Sequence, residues 1–151
     1  MIEPVRKSVT VPCDPDTAFE IFTQKINAWW PLDGHSVSAM DGKVAKSLTL
    51  EAGEGGRLYE ITADGGREDW GFVKVWEPGQ RLVLAWHVMT PETQSTEVEL
   101  SFSPHEIGTR VDLTHTGWEI IGETAPERRD SYAKGWIRVF ETCYADACGA
   151  A

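Results

Sequence analysis

The spacing of hydrophobic and polar residues divides the chain into an N-terminal strand with short helices, a central series of strands and a terminal helix. Over residues 5–11, valines alternate with polar residues at the period of two that is typical of a half-buried strand. Asp14 then has the side chain of a helix N-cap, and Pro15 suits the first helical position. A second short helix is predicted over residues 24–29, because Pro31 disfavours its continuation.

The central region contains six further runs with the character of strands. They are SLTLEA (47–52), RLYEIT (57–62), EDWGFVKVWE (68–77), RLVLAWHV (81–88), TEVELSFS (96–103) and TRVDLTH (109–115). The breaks between them are short, and several are rich in glycine, as in GEGG and DGG. Short connections join antiparallel neighbours, since a parallel crossover needs a much longer segment. The pattern therefore predicts an antiparallel meander.

A long helix is predicted at the end of the chain. Thr124 and Glu127 form the T-x-x-E pattern of a capping box, and Pro126 lies in the first turn. Apolar or aromatic side chains then recur at helical spacing, namely Tyr132, Trp136, Val139 and Cys143. We expect the helix to continue to about Cys148.

Together these elements predict an α+β fold in one domain over residues 1–151. The fold has a seven-stranded antiparallel sheet, two short helices after the first strand and a long C-terminal helix. The apolar face of such a sheet has to be covered, and the terminal helix is the only element long enough to cover it. We therefore expect the sheet to curl around that helix and to leave a cavity where the inward side chains do not meet.

The strand run LTHTGWE places a histidine on an apolar face. Counting by two puts Val111, Leu113 and His115 on one side of the strand, so His115 is expected to point inward. There it either contacts a ligand or shuttles a proton, or it is a structural histidine with buried partners. Glu60 would be a cavity carboxylate able to pair with His115 if Leu58 marks the inner face of its strand. In the other register Glu60 is exposed.

Seven tryptophans in 151 residues supply a large aromatic surface. Gly117 allows a bend that would aim Trp118 over the cavity mouth, and Gly135 permits close approach beside Trp136. These two indoles either form a stacking wall for a flat ligand or fill the core. Trp86 follows the apolar alternation of its strand and suits the core. The candidate ligand-binding residues are His115, Trp118, Trp136, Glu60, Trp86, Trp30 and Tyr132.

Charge and composition exclude several classes of protein. The 14 Lys and Arg residues are outnumbered by 24 Asp and Glu, so the net charge is −10 and nucleic acid is not an expected partner. No apolar stretch approaches the roughly 20 residues of a membrane span, and the start MIEPVRKSVTV lacks the regions of a signal peptide. Three cysteines without a C-x-x-C pair suit a reducing compartment. We expect a cytoplasmic protein that does not bind a membrane.

Familiar catalytic and cofactor motifs are missing from the sequence. It has no G-x-S-x-G elbow, no H-E-x-x-H pair and no phosphate-binding G-x-x-x-x-G-K-[ST] loop. The histidines His35, His87, His105 and His115 lie on separate predicted elements, and His87 is expected to face outward relative to Trp86. No metal, no cofactor and no catalytic residue is therefore predicted.

Several segments together resemble a known family. They are AWWPLDGHS, GGRLYE, WGFVKVWEPGQRLVLAW, TEVELSFSPHEIGTRVDLTHTGWE and YAKGW. In this combination the chain looks like the bacterial homologues of the C-terminal domain of the heat-shock-protein-90 ATPase activator. This AHSA-like family belongs to the START-like, or SRPBCC, superfamily. The similarity runs from about residue 5 to residue 144, and it implies the helix-grip fold, also called Bet v allergen-like.

The resemblance does not imply one activity, because the superfamily includes ligand carriers, cyclases and hydrolases. Our first hypothesis is the binding of a small apolar or aromatic molecule between the sheet and the terminal helix. The second is a protein-interaction role in which the domain docks on a chaperone in the stress response. The eukaryotic co-chaperone grips its chaperone with a separate N-terminal domain for which 151 residues leave no room, and this counts against docking.

The third hypothesis is an enzyme of the cyclase or hydrolase kind that uses His115 and Glu60 as acid and base. It requires these two side chains to lie within hydrogen-bond distance. The sequence favours a binding protein over an enzyme, and it does not set the oligomeric state.

Overall fold

A computed structural model describes residues 2–151. The strands are β1 (Val5–Val11), β2 (Ser47–Leu50), β3 (Arg57–Ile61), β4 (Arg67–Glu77), β5 (Arg81–Trp86), β6 (Thr96–His105) and β7 (Gly108–Thr116). The helices are α1 (Pro15–Thr23), α2 (Ile26–Trp29), α3 (Val37–Met40), α4 (Ala125–Trp136), a π-helical segment (Ile137–Tyr144) and α5 (Ala145–Gly149). Two short 3₁₀ helices span Glu92–Gln94 and Trp118–Ile121.

The seven strands form one antiparallel sheet in the order β1-β7-β6-β5-β4-β3-β2. Strands β2 to β7 make the predicted meander, and β1 closes onto β7 through a register that pairs Val9 with Val111. Alternate residues of β6 and β7 are fully or almost fully buried, in keeping with a sheet that has one covered face. The α+β helix-grip architecture predicted from the sequence is confirmed.

Three short helices precede the central strands, although the sequence predicted two. The additional helix is α3, whose N-cap Ser36 accepts a hydrogen bond from the Ala39 backbone N–H at 3.0 Å. A four-residue helix makes too few turns to show an apolar periodicity, so its only local signal is the cap. This helix contributes to the functional site described below.

The terminal helix consists of α4, the π-helical segment and α5, which follow one another without a break. The wider turns of the π-helical segment change which side chains face the sheet. Phe140, Tyr144 and Cys148 are completely buried, whereas Cys143 is only partly buried. Regular α-helical spacing had placed Cys143 on the inner face, and the π-helical turns account for this difference.

The predicted capping box at the start of α4 is not formed. Thr124 is the N-cap residue, but its side chain makes no capping hydrogen bond, and its φ of −87° and ψ of 3° depart from the extended conformation that such a cap needs. Within residues 2–151, no helix combines the length and apolar character needed to cross a membrane.

Candidate functional site

A cavity of about 680 Å³ lies between the sheet and the terminal helix. This volume is within the range of small-molecule sites in proteins. Its lining comes from the segment around α3, the ends of β4 and β5, and one face of the terminal helix. The lining residues are Trp30, Gly34, His35, Ser36, Ala39, Met40, Trp70, Trp86, Val88, Met89, Arg128, Ser131, Tyr132, Gly135, Trp136 and Val139.

Five aromatic side chains form one continuous side of the cavity, which we call the aromatic wall: Trp30, Trp70, Trp86, Tyr132 and Trp136. The ring centres of Trp86 and Trp136 are 5.5 Å apart, and those of Trp30 and Trp70 are 5.3 Å apart. Tyr132 adjoins Trp86 edge to face at 6.3 Å. These tilted and edge-to-face arrangements are the favourable ones for aromatic pairs.

Each indole of the aromatic wall donates its N–H to a specific acceptor. Trp30 donates to the backbone carbonyl of His35 at 2.7 Å, and Trp86 donates to the Tyr132 hydroxyl oxygen at 3.0 Å. Trp70 and Trp136 donate to two buried polar side chains that lie behind the wall. A hydrogen bond at the edge of each ring fixes its plane, so the wall is formed before any ligand arrives.

His115 lies behind Trp136 and is completely buried. The Trp136 indole N–H donates to His115 Nδ1 at 3.1 Å, so Nε2 must carry the ring proton of the neutral imidazole. Nε2 in turn lies 2.8 Å from Thr96 Oγ1, whose hydroxyl donates to the Trp86 backbone carbonyl at 3.2 Å. Both ring nitrogens are therefore used, and burial lowers the pKa of His115 to about 3.

The predicted course of the chain after His115 is confirmed in part. His115 points inward, β7 ends at Thr116, and Gly117 adopts the left-handed conformation with φ of 84°. Trp118 then folds back, donates its indole N–H to the His115 carbonyl at 3.0 Å and packs its ring 4.1 Å from the imidazole. Neither His115 nor Trp118 is among the residues that line the cavity.

Glu60 faces the interior together with Leu58, which decides between the two registers considered for β3. Its carboxylate is fully buried behind Trp70 and accepts the Trp70 indole N–H at 3.2 Å. It also accepts the backbone N–H of Val37 at 2.7 Å, the backbone N–H of Ser38 at 3.0 Å and the Ser38 hydroxyl at 2.7 Å. The carboxylate thus holds the N-terminal end of α3 against the sheet.

The acid/base pair of Glu60 and His115 that the sequence allowed is not formed. Glu60 bonds to α3 and Trp70, and His115 bonds to Thr96 and Trp136. Glu60 thus contacts the Trp70 indole, and His115 contacts the Trp136 indole. An enzymatic role for this pair would need proton transfer between them, and the hydrogen bonds observed for each group provide no such contact.

Four of the seven candidate residues line the cavity: Trp30, Trp86, Tyr132 and Trp136. Trp70 and Arg128 also line the cavity, but they were not predicted from the sequence. Trp70 is the residue of β4 that is skipped at a register shift between β3 and β4, which interrupts the count by two. Arg128 lies four residues before Tyr132 on the same helical face, and this spacing was the signal that could have found it.

Two polar groups on the cavity side have perturbed acidity. Burial lowers the pKa of His35, and the charge of nearby Arg138 lowers it further, against the smaller opposing effect of Asp33. Burial also raises the pKa of the Tyr132 hydroxyl, although the Trp86 N–H and the charge of Arg128 act in the opposite direction. At neutral pH both groups are therefore uncharged hydrogen-bonding groups.

His87 is buried, although the sequence predicted that it would face outward. Its exposed fraction is 7%, and within the described part of the chain its Nε2 has no hydrogen-bond partner. Strand β5 ends at Trp86, so strict alternation no longer applies at the next residue. Among residues 2–151, no three His, Cys, Asp or Glu side chains cluster in a way that could hold a metal ion.

Comparison with known proteins identifies relatives of this fold. Over residues 12–142 the sequence matches the family described as activator of Hsp90 ATPase homolog 1-like protein. A search of curated proteins gives no match. The helix-grip fold is shared by many solved structures.

Three of these structures show the range of the fold. The self-sacrificing resistance protein CalC from Micromonospora echinospora is 28% identical, with a TM-score of 0.69 over 97% of this chain and 96% of that one. An anthrahydroquino-gamma-pyrone synthase, solved as a complex, is 29% identical, with a TM-score of 0.65 over 96% of both chains. The Aha1 dimer from Colwellia psychrerythraea is 14% identical, with a TM-score of 0.62 over 95% of this chain and 97% of that one.

Proposed function

Since the chain belongs to the family of activator of Hsp90 ATPase homolog 1-like proteins and has the helix-grip fold, we propose that it binds a small, flat aromatic molecule in its cavity. The aromatic wall is the observation that carries this proposal. Four tryptophans and one tyrosine present their rings to a space of about 680 Å³, and hydrogen bonds at the ring edges fix the four indoles. A preformed apolar surface with few polar groups is typical of small-molecule sites.

The energetics of the cavity support an aromatic occupant. A ring placed against the wall removes apolar surface from water at roughly 25 cal/mol for each Å² buried. Aromatic pairs add about 0.5–1.5 kcal/mol beyond that burial. Because the indoles are already held in place, little ordering entropy opposes binding.

The relatives support the same chemical class. The synthase that is 29% identical is named for an anthrahydroquino-gamma-pyrone, which is a fused aromatic compound. The resistance protein CalC, at 28% identity, shows that this fold also occurs outside synthases. We propose binding, not conversion, because the sequence has none of the three catalytic and phosphate-binding motifs named above and the Glu60 and His115 side chains bond to different partners.

The test uses the trihydroxyanthraquinone emodin as a probe and the intrinsic tryptophan fluorescence as the signal. Emodin should quench the fluorescence saturably, because four of the seven tryptophans line the cavity. The Ala39→Phe variant should lose this quenching, since Ala39 lines the cavity and a phenyl ring there would occupy it. Ala28→Phe is the matched control, because Ala28 is exposed on α2 and lies outside the cavity.

Three results would contradict or redirect the proposal. Quenching that never saturates, or that Ala39→Phe leaves unchanged, would show that the cavity does not bind the probe. Saturable binding followed by a slow change in the emodin absorption spectrum would favour the enzyme hypothesis. Failure across a panel of flat aromatic compounds would leave protein interaction as the better account.

A further inference from the structure

Among the described residues that line the cavity, Arg128 is the cationic one. We infer that the ligand carries an acidic oxygen group, either a carboxylate or an ionised phenol, that Arg128 and Tyr132 bind. This inference rests on the proposed function and specifies the chemistry of the occupant. It concerns one side of the cavity, where α4 meets the aromatic wall.

Arg128 is half-buried and lines the cavity, yet within residues 2–151 its guanidinium makes no ion pair and no hydrogen bond. Other arginines of the terminal helix are paired. Arg129 bonds to Asp130 at 3.3 Å, and Arg138 bonds to Asp33 at 3.1 Å. In a chain with 24 acidic residues and a net charge of −10, an arginine without a carboxylate partner is notable.

The position of Arg128 on its helix gives no structural reason for the charge. It is the fourth residue of α4, close to the N-terminal end, where the helix macrodipole favours anions and disfavours cations. A cation at this site raises the free energy of the helix unless something else compensates for it. An anion bound beside the guanidinium would supply that compensation.

Tyr132 provides a second donor one helical turn away. Within the described residues, its hydroxyl takes part in a single side-chain hydrogen bond, which it accepts from Trp86 at 3.0 Å. The hydroxyl proton is therefore available, and since burial raises the pKa of Tyr132, this proton is retained at neutral pH. Arg128 and Tyr132 are four residues apart on α4, so their side chains lie on the same face of the helix, and both line the cavity.

The two donors and the wall define a ligand with two parts. The rings of the wall suit the flat apolar part, and the guanidinium and the hydroxyl suit an oxygen that bears negative charge. Of the other lining residues, Gly34, Ala39, Met40, Val88, Met89, Gly135 and Val139 are small or apolar, and His35, Ser36 and Ser131 are polar but uncharged at neutral pH. An acidic group placed on those sides of the cavity would lose hydration without gaining a cationic partner, so the Arg128 side fixes the orientation of the ligand.

The experiment compares two probes that differ in one group, the carboxylate and the carboxamide of anthraquinone. Dissociation constants are measured by quenching of tryptophan fluorescence at neutral pH. We expect the natural protein to bind the carboxylate about tenfold more tightly than the carboxamide, because hydrogen bonds to charged groups are about twice as strong as neutral ones. Arg128→Gln should remove this preference and leave the affinity for the carboxamide nearly unchanged.

Lys134→Gln is the matched control, since Lys134 is exposed on the same helix and does not line the cavity. It makes the same change in charge and should keep the preference for the carboxylate. Equal affinity for both probes in the natural protein would overturn the inference and leave the proposed function intact, and so would loss of the preference in Lys134→Gln. Failure of both probes to bind saturably would overturn the proposed function and this inference with it.

Discussion

Behind the aromatic wall each buried polar side chain is hydrogen-bonded to the protein, whereas in front of it Arg128 and the Tyr132 hydroxyl proton have no protein partner within residues 2–151. The groups behind the wall are His115 and Glu60. They accept the indole N–H groups of Trp136 and Trp70, and they bond in addition to Thr96 and to α3.

The difference separates two tasks within one region. A buried polar group whose bonds are all made inside the chain holds the fold together and offers nothing to a ligand. A half-buried polar group without a partner costs free energy in the empty protein and can recover it from a ligand. By this criterion the wall has a structural side and, under the proposed function, a binding side.

The largest effect that would test the structural side comes from Glu60→Ala. The substitution removes the acceptor of the Trp70 indole, of two backbone N–H groups of α3 and of the Ser38 hydroxyl. We expect the free energy of unfolding in urea to fall by about 4 kcal/mol. Glu68→Ala is the control, because Glu68 is exposed and lies opposite Glu60 in the sheet, and because this substitution removes the same side-chain carboxylate. Equal losses in the two variants would mean that the bonds of Glu60 contribute little.

A smaller loss is expected for His115→Leu. Leucine fills much of the space of the imidazole but leaves the Trp136 indole N–H without its acceptor and ends the bond to Thr96. The free energy of unfolding should fall by about 3 kcal/mol, measured by urea unfolding at neutral pH. His105→Leu, at the exposed end of β6, should change it little. A stable His115→Leu protein that no longer binds emodin would assign His115 to the binding side instead.

The pH dependence of stability gives a third and weaker test of the same histidine. The folded protein keeps His115 neutral, with a pKa of about 3, while the unfolded chain takes up a proton near pH 6.5. Its contribution to stability is therefore fully present above pH 6.5 and is lost as the pH falls toward 3. Between pH 7 and pH 5 the natural protein should lose about 2 kcal/mol more than His115→Leu. Parallel pH profiles of the two proteins would contradict a buried neutral imidazole.

The smallest effect sharpens the contrast on the binding side. A Cβ on Gly135 would lie 3.5 Å from the His35 ring, which is an ordinary contact, so Gly135→Ala should fold without strain. Replacing glycine within a helix should raise the free energy of unfolding by about 0.5–1 kcal/mol. The added methyl narrows the cavity, and the affinity for emodin should fall about threefold. Gly149→Ala is the control, because a Cβ there meets nothing within 4 Å, and it should leave the affinity for emodin unchanged. If Gly135→Ala alters neither the free energy of unfolding nor the affinity, the probe does not occupy the cavity beside Gly135.

The sequence predicted the architecture well because the sheet is built from alternation. The six central runs coincide with β2 to β7 to within two residues at each end, and the inward direction of His115 follows from the same count. The count fails where the backbone departs from regularity. In the π-helical segment the wider turns bury Tyr144 in place of Cys143, the residue that regular α-helical spacing predicts. The amino-acid pattern contains no signal that predicts such turns.

The site was less predictable because its contacts join distant parts of the chain. Glu60 meets α3 across more than 20 residues of sequence, and Trp136 meets His115 across 21. Trp70 was not predicted because the pairing of β3 with β4 shifts register next to Gly71, where a Cβ would collide with the Ala85 carbonyl oxygen. Arg128 was overlooked for another reason, since a charged helical residue is usually solvated and only its cavity position distinguishes it.

The anchoring of each indole at its edge also bears on how such a protein can evolve. Because the hydrogen bonds that set the planes of Trp70 and Trp136 lie behind the wall, the side chains of other lining residues, such as Ala39, Met40 and Met89, take no part in them. Substitutions there change the shape presented to a ligand while the network on Glu60 and His115 stays intact. Under the proposed function, such substitutions would change the specificity of the cavity while the hydrogen bonds that hold the indoles are kept.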